Sequence, residues 1–169
     1  MDNKSIFTER LILRRFKDED TEPFYDIMKK PIVTKYLGSG EGKTCEDVQR
    51  ILNSFEKHWT EKGYGVFAVE EKESGKLMGY SGLRFLEEAG KTEIMYAFDD
   101  EFWGKGFATE AAEKVMKYAK ENTELSELIA LAYPENIGSK RVIEKIGFEY
   151  IDQREFFGHI LNYYYQKIR

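Results

Sequence analysis

The sequence predicts an α/β fold on a mixed sheet, mostly antiparallel, with one parallel βαβ unit near its centre. Three observations carry this. Between residues 66 and 98, short apolar runs alternate with turn residues, as in antiparallel hairpins. Phe107, Ala108, Ala111, Ala112, Val115, Met116 and Ala119 form a helical stripe, and Leu128 to Ala132 follows as an unbroken apolar run suited to a strand buried on both faces. The chain closes on two further β-type runs separated by Gly158-His159.

Taken in order, Leu11 and Leu13 alternate with Ile12 and Arg14 in a first strand, and Asp18-Glu19-Asp20-Thr21 with Pro23 signals a helix start. A second helix begins at Thr44, whose hydroxyl caps it; Val48, Ile51, Leu52, Phe55 and Trp59 mark its buried face, and Gly63 and Gly65 end it. Val66 to Glu70 and Leu77 to Leu83 form a hairpin across Glu73-Ser74-Gly75-Lys76, and a strand from Thr92 to Phe98 follows a turn at Ala89-Gly90-Lys91. The stripe from Phe107 is the crossover helix, so the 92–98 and 125–133 strands run parallel. A fourth helix, about 137 to 146, stops at Gly147, and the closing hairpin pairs Phe148 to Phe157 with Ile160 to Ile168. The tally is about seven strands and four helices.

A chain of 169 residues suits one domain, spanning 1–169. The net charge of -5 argues against a nucleic-acid binder, which needs a clustered basic surface. A single cysteine, Cys45, cannot close an internal disulfide, and no Cys/His cluster has zinc-site spacing, so no metal is expected. The N-terminus MDNKSIFTERLILRR lacks a secretion leader's apolar core, and no run is long enough to span a membrane. A cytoplasmic protein is the expectation.

The segment Phe98 to Glu110 leaves a strand and enters a helix across Gly104 and Gly106. Glycine permits positive φ and close approach, and the helix's first amides lack intrahelical partners, so the loop suits a phosphate or pyrophosphate; a plain capped turn is the alternative. Two commoner phosphate motifs fail on spacing. The P-loop pattern over Gly38-Ser39-Gly40-Glu41-Gly42-Lys43-Thr44 needs glycine where Leu37 stands, and the dinucleotide fingerprint needs a third glycine where Thr109 stands.

The loop does resemble the acyl-CoA signature (Q/R)xxGx(G/A) of the Gcn5-related N-acetyltransferases (GNAT). FWGKGFATEA is similar to the YWGKGYATEA usual in that superfamily's ribosomal-protein N-acetyltransferase (RimJ/RimL-like) branch, where Trp103 replaces the polar Gln or Arg. Four other blocks resemble the same branch: Thr8 to Arg14 its opening strand, Leu77 to Leu83 its central hairpin strand, Thr92 to Tyr96 the strand before the pyrophosphate loop, and Asn136 to Phe148 its second cofactor motif. The resemblance implies the GNAT acyl-CoA N-acyltransferase fold and acetyl-CoA as co-substrate. It places Trp103, Gly104, Lys105, Gly106, Phe107, Ala108 and Thr109 at the pyrophosphate, the backbone of Met95, Tyr96, Ala97 and Phe98 at the pantetheine, and Asn136, Ser139 and Lys140 beside it.

It also implies Glu93 as general base. Alternation sets Glu93 on a strand face with Met95 and Ala97, among apolar groups that raise a carboxyl pKa; the alternative is an edge-strand carboxylate facing solvent or paired with Lys91. Many relatives carry an acid tyrosine where this chain has Ile143, leaving Ser139 or water as proton donor, with local helix capping as the other role for Ser139. Asn136 is likewise a cofactor contact or a helix N-cap. His58 and His159 stand apart from any triad and read as structural, and Cys45 has no neighbouring base, so direct transfer is expected. Tyr36, Trp59, Tyr64 and Phe85 are candidates for an acceptor pocket, with core filling the other role of Trp59. The acceptor implied is a primary amine, either a protein N-terminus, as on a ribosomal protein, or a small amine such as a polyamine, amino sugar or antibiotic. A non-catalytic acyl-CoA-binding module is the alternative from another class. Neither nucleic acid nor membrane is an expected partner, and the chain is read as monomer or homodimer.

Overall fold

The computed structural model describes residues 4–169; of the N-terminal segment read for a leader, Met1–Asn3 lie outside the described residues. The chain opens with β1 (Ile6–Phe7) and β2 (Leu11–Arg14), a 3-10 turn (Asp18–Asp20), α1 (Thr21–Met28) and α2 (Pro31–Thr34). Next come α3 (Cys45–Lys62), β3 (Val66–Glu71), β4 (Leu77–Leu86) and β5 (Lys91–Phe98), then a 3-10 turn (Asp100–Phe102) and α4 (Phe107–Asn122). The last elements are β6 (Glu127–Ala132), α5 (Ile137–Lys145), β7 (Glu149–Phe156) and β8 (His159–Lys167).

The strands form one sheet in the order β1-β2-β3-β4-β5-β6-β8-β7, antiparallel throughout except for β5 and β6. The described residues thus hold eight strands and five α-helices, one of each more than the sequence pattern gave. The additions are β1, of two residues, and α2, of four, both too short to show a period. Tertiary partners define them instead: Ile6 pairs with Leu13, and α2 starts at Pro31 and buries Val33 and Thr34.

Local signals hold where they were strong. Thr44 Oγ1 accepts from Asp47 N (3.1 Å) while the Asp47 carboxylate accepts from Thr44 N (2.9 Å), a reciprocal cap on α3. That helix ends at Gly63 in the left-handed region, φ 76°.

The sheet is covered on two faces by different helices. α4 and α5 pack on one face, where Phe107, Ala111, Val115 and Ile143 meet Ile94, Phe98, Leu128 and Ala130. α1, α2 and α3 pack on the other, where Phe24, Val33 and Phe55 meet Val66, Tyr80, Met95 and Ala97. Period-2 alternation along β5 therefore sends Ile94, Tyr96 and Phe98 to the first face and Glu93, Met95 and Ala97 to the second.

β5 stays paired with β4 along its whole length, from Leu86↔Lys91 to Gly79↔Phe98, and β6 stays paired with β8 from Glu127↔Lys167 to Ala132↔Asn162. Between them the only register pair is Glu93↔Ile129. Each strand keeps its outer neighbour, and the sheet opens into a wedge beyond Glu93. Gly79 holds the β4 side of that wedge. At φ 151°, a Cβ there would lie 2.0 Å from the Ala97 carbonyl oxygen. Gly79→Ala is expected to cost about 2 kcal/mol, read as a lower midpoint in urea at unchanged slope.

Candidate active site

The wedge opens into a cavity of about 1220 Å³ that passes through the sheet. Glu93 to Phe98 line one wall and Leu131 to Tyr133 the other, with the starts of α4 and α5 across its mouth. This is the carboxyl end of a parallel strand pair, where α/β sheets place their ligands.

The loop into α4 turns on two glycines in the left-handed region, Gly104 at φ 75° and Gly106, its N-cap, at φ 81°. Trp103, Gly104 and Gly106 to Thr109 line the cavity, and the amides of Phe107, Ala108 and Thr109 have no intrahelical acceptors. With the positive end of the α4 dipole behind them, these donors suit an anion. Trp103, half exposed, anchors the loop by donating its indole N–H to the Phe98 carbonyl (2.9 Å).

The connection between β1 and β2 contributes a brace that sequence reasoning missed. Arg10 Nη1 donates to the Lys105 carbonyl (3.0 Å), Arg10 Nε to Glu110 Oε1 (2.8 Å), and its guanidinium lies over the Phe107 ring at 4.1 Å. Glu110 also accepts from the Arg10 amide (3.0 Å) and the Thr8 hydroxyl. Arg10 sits in a matched block, but nothing local shows that it reaches 95 residues along the chain to the loop. Burial acts to raise the Glu110 pKa, and the bonds from Thr8 and Arg10 outweigh it, so the group lies below the ordinary value. A depressed carboxyl stabilises the fold above its unfolded pKa and loses that contribution as pH falls through its folded one. Glu110→Gln is therefore expected to cost about 1–2 kcal/mol at pH 7, with the gap in melting temperature closing toward acid pH.

At the vertex of the wedge Glu93 is 6% exposed. It is not paired with Lys91, whose ammonium goes to Glu127; Arg84, directly across the β4–β5 ladder, donates from Nη2 to Glu93 Oε1 (3.1 Å). Glu93 Oε2 is buried with no hydrogen-bond partner, on a side chain that lines the cavity. Burial pushes its pKa above the ordinary value against the opposing pull of Arg84.

On the opposite face, Ser139 in the first turn of α5 meets the Tyr96 hydroxyl at 3.0 Å through Oγ, and that hydroxyl also donates to the Ser139 carbonyl (3.2 Å). Burial pushes Tyr96 up to about 12, against the Ser139 bond, so it stays a neutral donor at physiological pH. Asn136 caps α5, its Oδ1 accepting from Ser139 N (3.2 Å), and still lines the cavity.

The sequence of residues 10–149 matches the family model described as Acetyltransferase (GNAT) domain. The chain belongs to the GNAT acetyltransferase family. An uncharacterized N-acetyltransferase of Bacillus subtilis, YoaA, is 31% identical over 143 residues, covering 84% of this chain and 81% of that protein. The crystal structure of a GNAT-family acetyltransferase from Bacillus anthracis matches at TM-score 0.80 and 28% identity, covering 96% of each chain. At 15% identity, RimL, a ribosomal L7/L12 alpha-N-protein acetyltransferase solved in complex with coenzyme A, shares the fold at TM-score 0.82, over 97% of this chain and 98% of that one.

Within this acetyltransferase, the cavity gathers Glu93, Met95 to Phe98, Trp103, Gly104, Gly106 to Thr109, Asn136 and Ser139 from segments far apart in the chain. Lys105 and Lys140 stand outside its lining, and Lys140 Nζ folds back onto the Pro134 carbonyl (3.0 Å). Of the four aromatics considered for an acceptor pocket only Tyr36 lines the cavity. Trp59 is core and donates to the Val66 carbonyl (2.9 Å), Tyr64 bonds Thr92 (2.7 Å), and Phe85 lies beneath the Lys62 ammonium. Tyr133 instead joins the lining, its ring 5.4 Å from Tyr36 and 5.5 Å from His159. His58 is structural: its Nδ1 meets the Tyr64 carbonyl and its Nε2 accepts from the Phe85 amide, both at 2.9 Å, and burial lowers its pKa. Among the described residues no group of three His, Cys, Asp or Glu is placed to hold a metal, and no helix is long and apolar enough to cross a membrane.

Proposed function

We propose that this acetyltransferase uses acetyl-CoA to acetylate a primary amine directly in a ternary complex, with Glu93 as general base. The carrying observation is the unpartnered Glu93 oxygen, buried at the vertex of the wedge where a thioester held by the α4 loop would end. Gly104 and Gly106 to Thr109 supply amides to the diphosphate, Lys105 holds the loop through its carbonyl, and the backbone of Met95 to Phe98, without a strand partner on the β6 side, accompanies the pantetheine. The amine enters from the α1–α3 face, gives its proton to Glu93 Oε2 and attacks the carbonyl; a C–N bond forms and the C–S bond breaks. Ser139, on the far face, returns a proton to the leaving thiolate and is replenished through Tyr96 or solvent. Cys45, exposed at the start of α3 and outside the cavity lining, takes no part, and a free thiol there suits a reducing cytoplasm.

An α-amine is the acceptor this base suits. With a pKa of about 8 it needs only about 1.4 kcal/mol to shed its proton at pH 7, against roughly 4.6 kcal/mol for a lysine at about 10.4. A protein N-terminus, the kind of acceptor named for RimL, fits that requirement. Incubation with acetyl-CoA and a panel of N-terminal peptides and small amines, read by thiol release, tests the reading. Release with peptides is expected; CoA binding without release from any amine would leave only an acyl-CoA-binding module.

A further inference from the structure

The cavity's charge runs against that of the whole chain. The protein carries a net charge of -5, yet among the described residues lining the cavity the only carboxylate is Glu93, against the cations of Lys35, Lys43 and Arg84. Neither Lys35 nor Lys43 forms an ion pair among the described residues, whereas Lys30, just before α2, is held by Asp99 at 2.7 Å and Asp100 at 3.2 Å. Lys43 is half-buried with its ammonium folded toward Gly38, and Lys35 lies over the Tyr36 ring at 5.3 Å.

These cations belong to the acceptor's side. The 35–43 connection packs through Leu37 into the cluster that holds Met95 and Ala97, the face to which Glu93 points, while the α4 loop and Ser139 sit on the other face. They thus line the same cavity as the α4 loop, on the face to which Glu93 points. Arg84 adds the sharpest feature: one nitrogen holds Glu93 Oε1, while its buried Nε has no partner. Glu93 Oε2 and Arg84 Nε are thus a buried acceptor and a buried donor without partners on two bonded, cavity-lining side chains, chemistry that suits a positive amine together with a negative or carbonyl oxygen.

Resting on the acetyl-transfer reading above, we infer that the acceptor is an anionic amine, its amino group at Glu93 and a carboxylate near it held by Arg84 and the Lys35/Lys43 rim. This chemistry is common to free α-amino acids and to acidic peptide N-termini, and it disfavours polyamines and aminoglycosides. A cationic acceptor would have to approach three positive side chains with only Glu93 to offset them.

The experiment compares kcat/KM, by thiol release from acetyl-CoA and corrected for the free-amine fraction of each acceptor, for matched pairs: a dipeptide against its C-terminal amide, and a tetrapeptide with Asp and Glu after its first residue against the Asn and Gln version. A free amino acid and spermidine complete the panel. The full-length protein is expected to favour the acidic member of each pair by about 10-fold at low salt, with the ratio falling as salt rises. In the doubly substituted protein Lys35→Glu, Lys43→Glu the ratio should drop to one or below, and being a ratio it cancels any general loss of activity. Preference in the peptides alone assigns the site to acidic N-termini, and preference extending to the amino acid assigns it to small amino acids; both support the inference. Equal rates within pairs, or faster turnover of spermidine, would overturn it while leaving acetyl transfer intact. Bound acetyl-CoA with no release from any amine would instead overturn the acetyl-transfer reading, and this inference with it.

Discussion

Replacing Glu93 with Gln is expected to lower kcat/KM at pH 7 by about 10²-fold or more, the usual contribution of a positioned general base. The substitution keeps the shape of a side chain buried at the wedge vertex and removes only its capacity to accept a proton. Coenzyme A affinity should hold, because the α4 loop lies elsewhere along the cavity, and the deficit should shrink at alkaline pH as free amine accumulates. Wild-type kcat/KM should show an acid limb above the ordinary carboxylate range, since burial raises Glu93. The same shift fixes the sign of the stability effect. A carboxyl whose pKa is raised on folding contributes most below its unfolded pKa, and that contribution is lost as pH rises through the folded value. Glu93→Gln should therefore melt no lower than wild type at pH 8, although Arg84 then faces a neutral acceptor in place of a carboxylate. An inactive variant that melts much lower would attribute the loss to folding, and wild-type turnover at pH 7 would remove Glu93 from the chemistry.

Gly106→Val is expected to weaken coenzyme A binding by roughly 150-fold, measured by calorimetry. The reason is conformational. A Cβ at Gly106 would meet only Arg10 Nη2, at an ordinary 3.6 Å, so crowding by the protein is not the obstacle. Its φ of 81° is: a β-branched residue held there costs about 3 kcal/mol, the upper end of the range for such strain. The loop relaxes to escape that strain, the amides of Phe107 to Thr109 turn from the cavity, and binding must restore them. Gly104→Ala, at φ 75° with nothing within 4 Å of its Cβ, isolates a milder version of the same effect. Unaltered affinity in the valine variant would mean that the diphosphate is held elsewhere.

Glu93 illustrates how far the sequence reached. Alternation along β5 sufficed to set it among apolar neighbours, and those neighbours are there. Its actual partner was another matter: Arg84 is nine residues away, opposite it across a hairpin whose register no local pattern specifies, whereas Lys91 is two residues away and pairs with Glu127. Trp59 fills the core, one of the two roles the sequence allowed it, while Tyr64 and Phe85 do not reach the cavity, for a related reason. An aromatic side chain has one composition and several destinations, and only packing set Trp59 in the core, Tyr64 against Thr92 and Phe85 under the Lys62 ammonium rather than in the cavity.

By itself the sequence determined the order of the main elements, the βαβ crossover and the glycine turn into α4, because hydrophobic period, helix caps and positive-φ positions are local properties of a few consecutive residues. Tertiary structure alone decided the wedge between β5 and β6, the Arg10 brace, the Arg84–Glu93 pair and the Tyr96–Ser139 contact across it. Each of these depends on which strand keeps which neighbour, a competition among backbone hydrogen bonds and buried faces from distant parts of the chain that no short window of sequence contains.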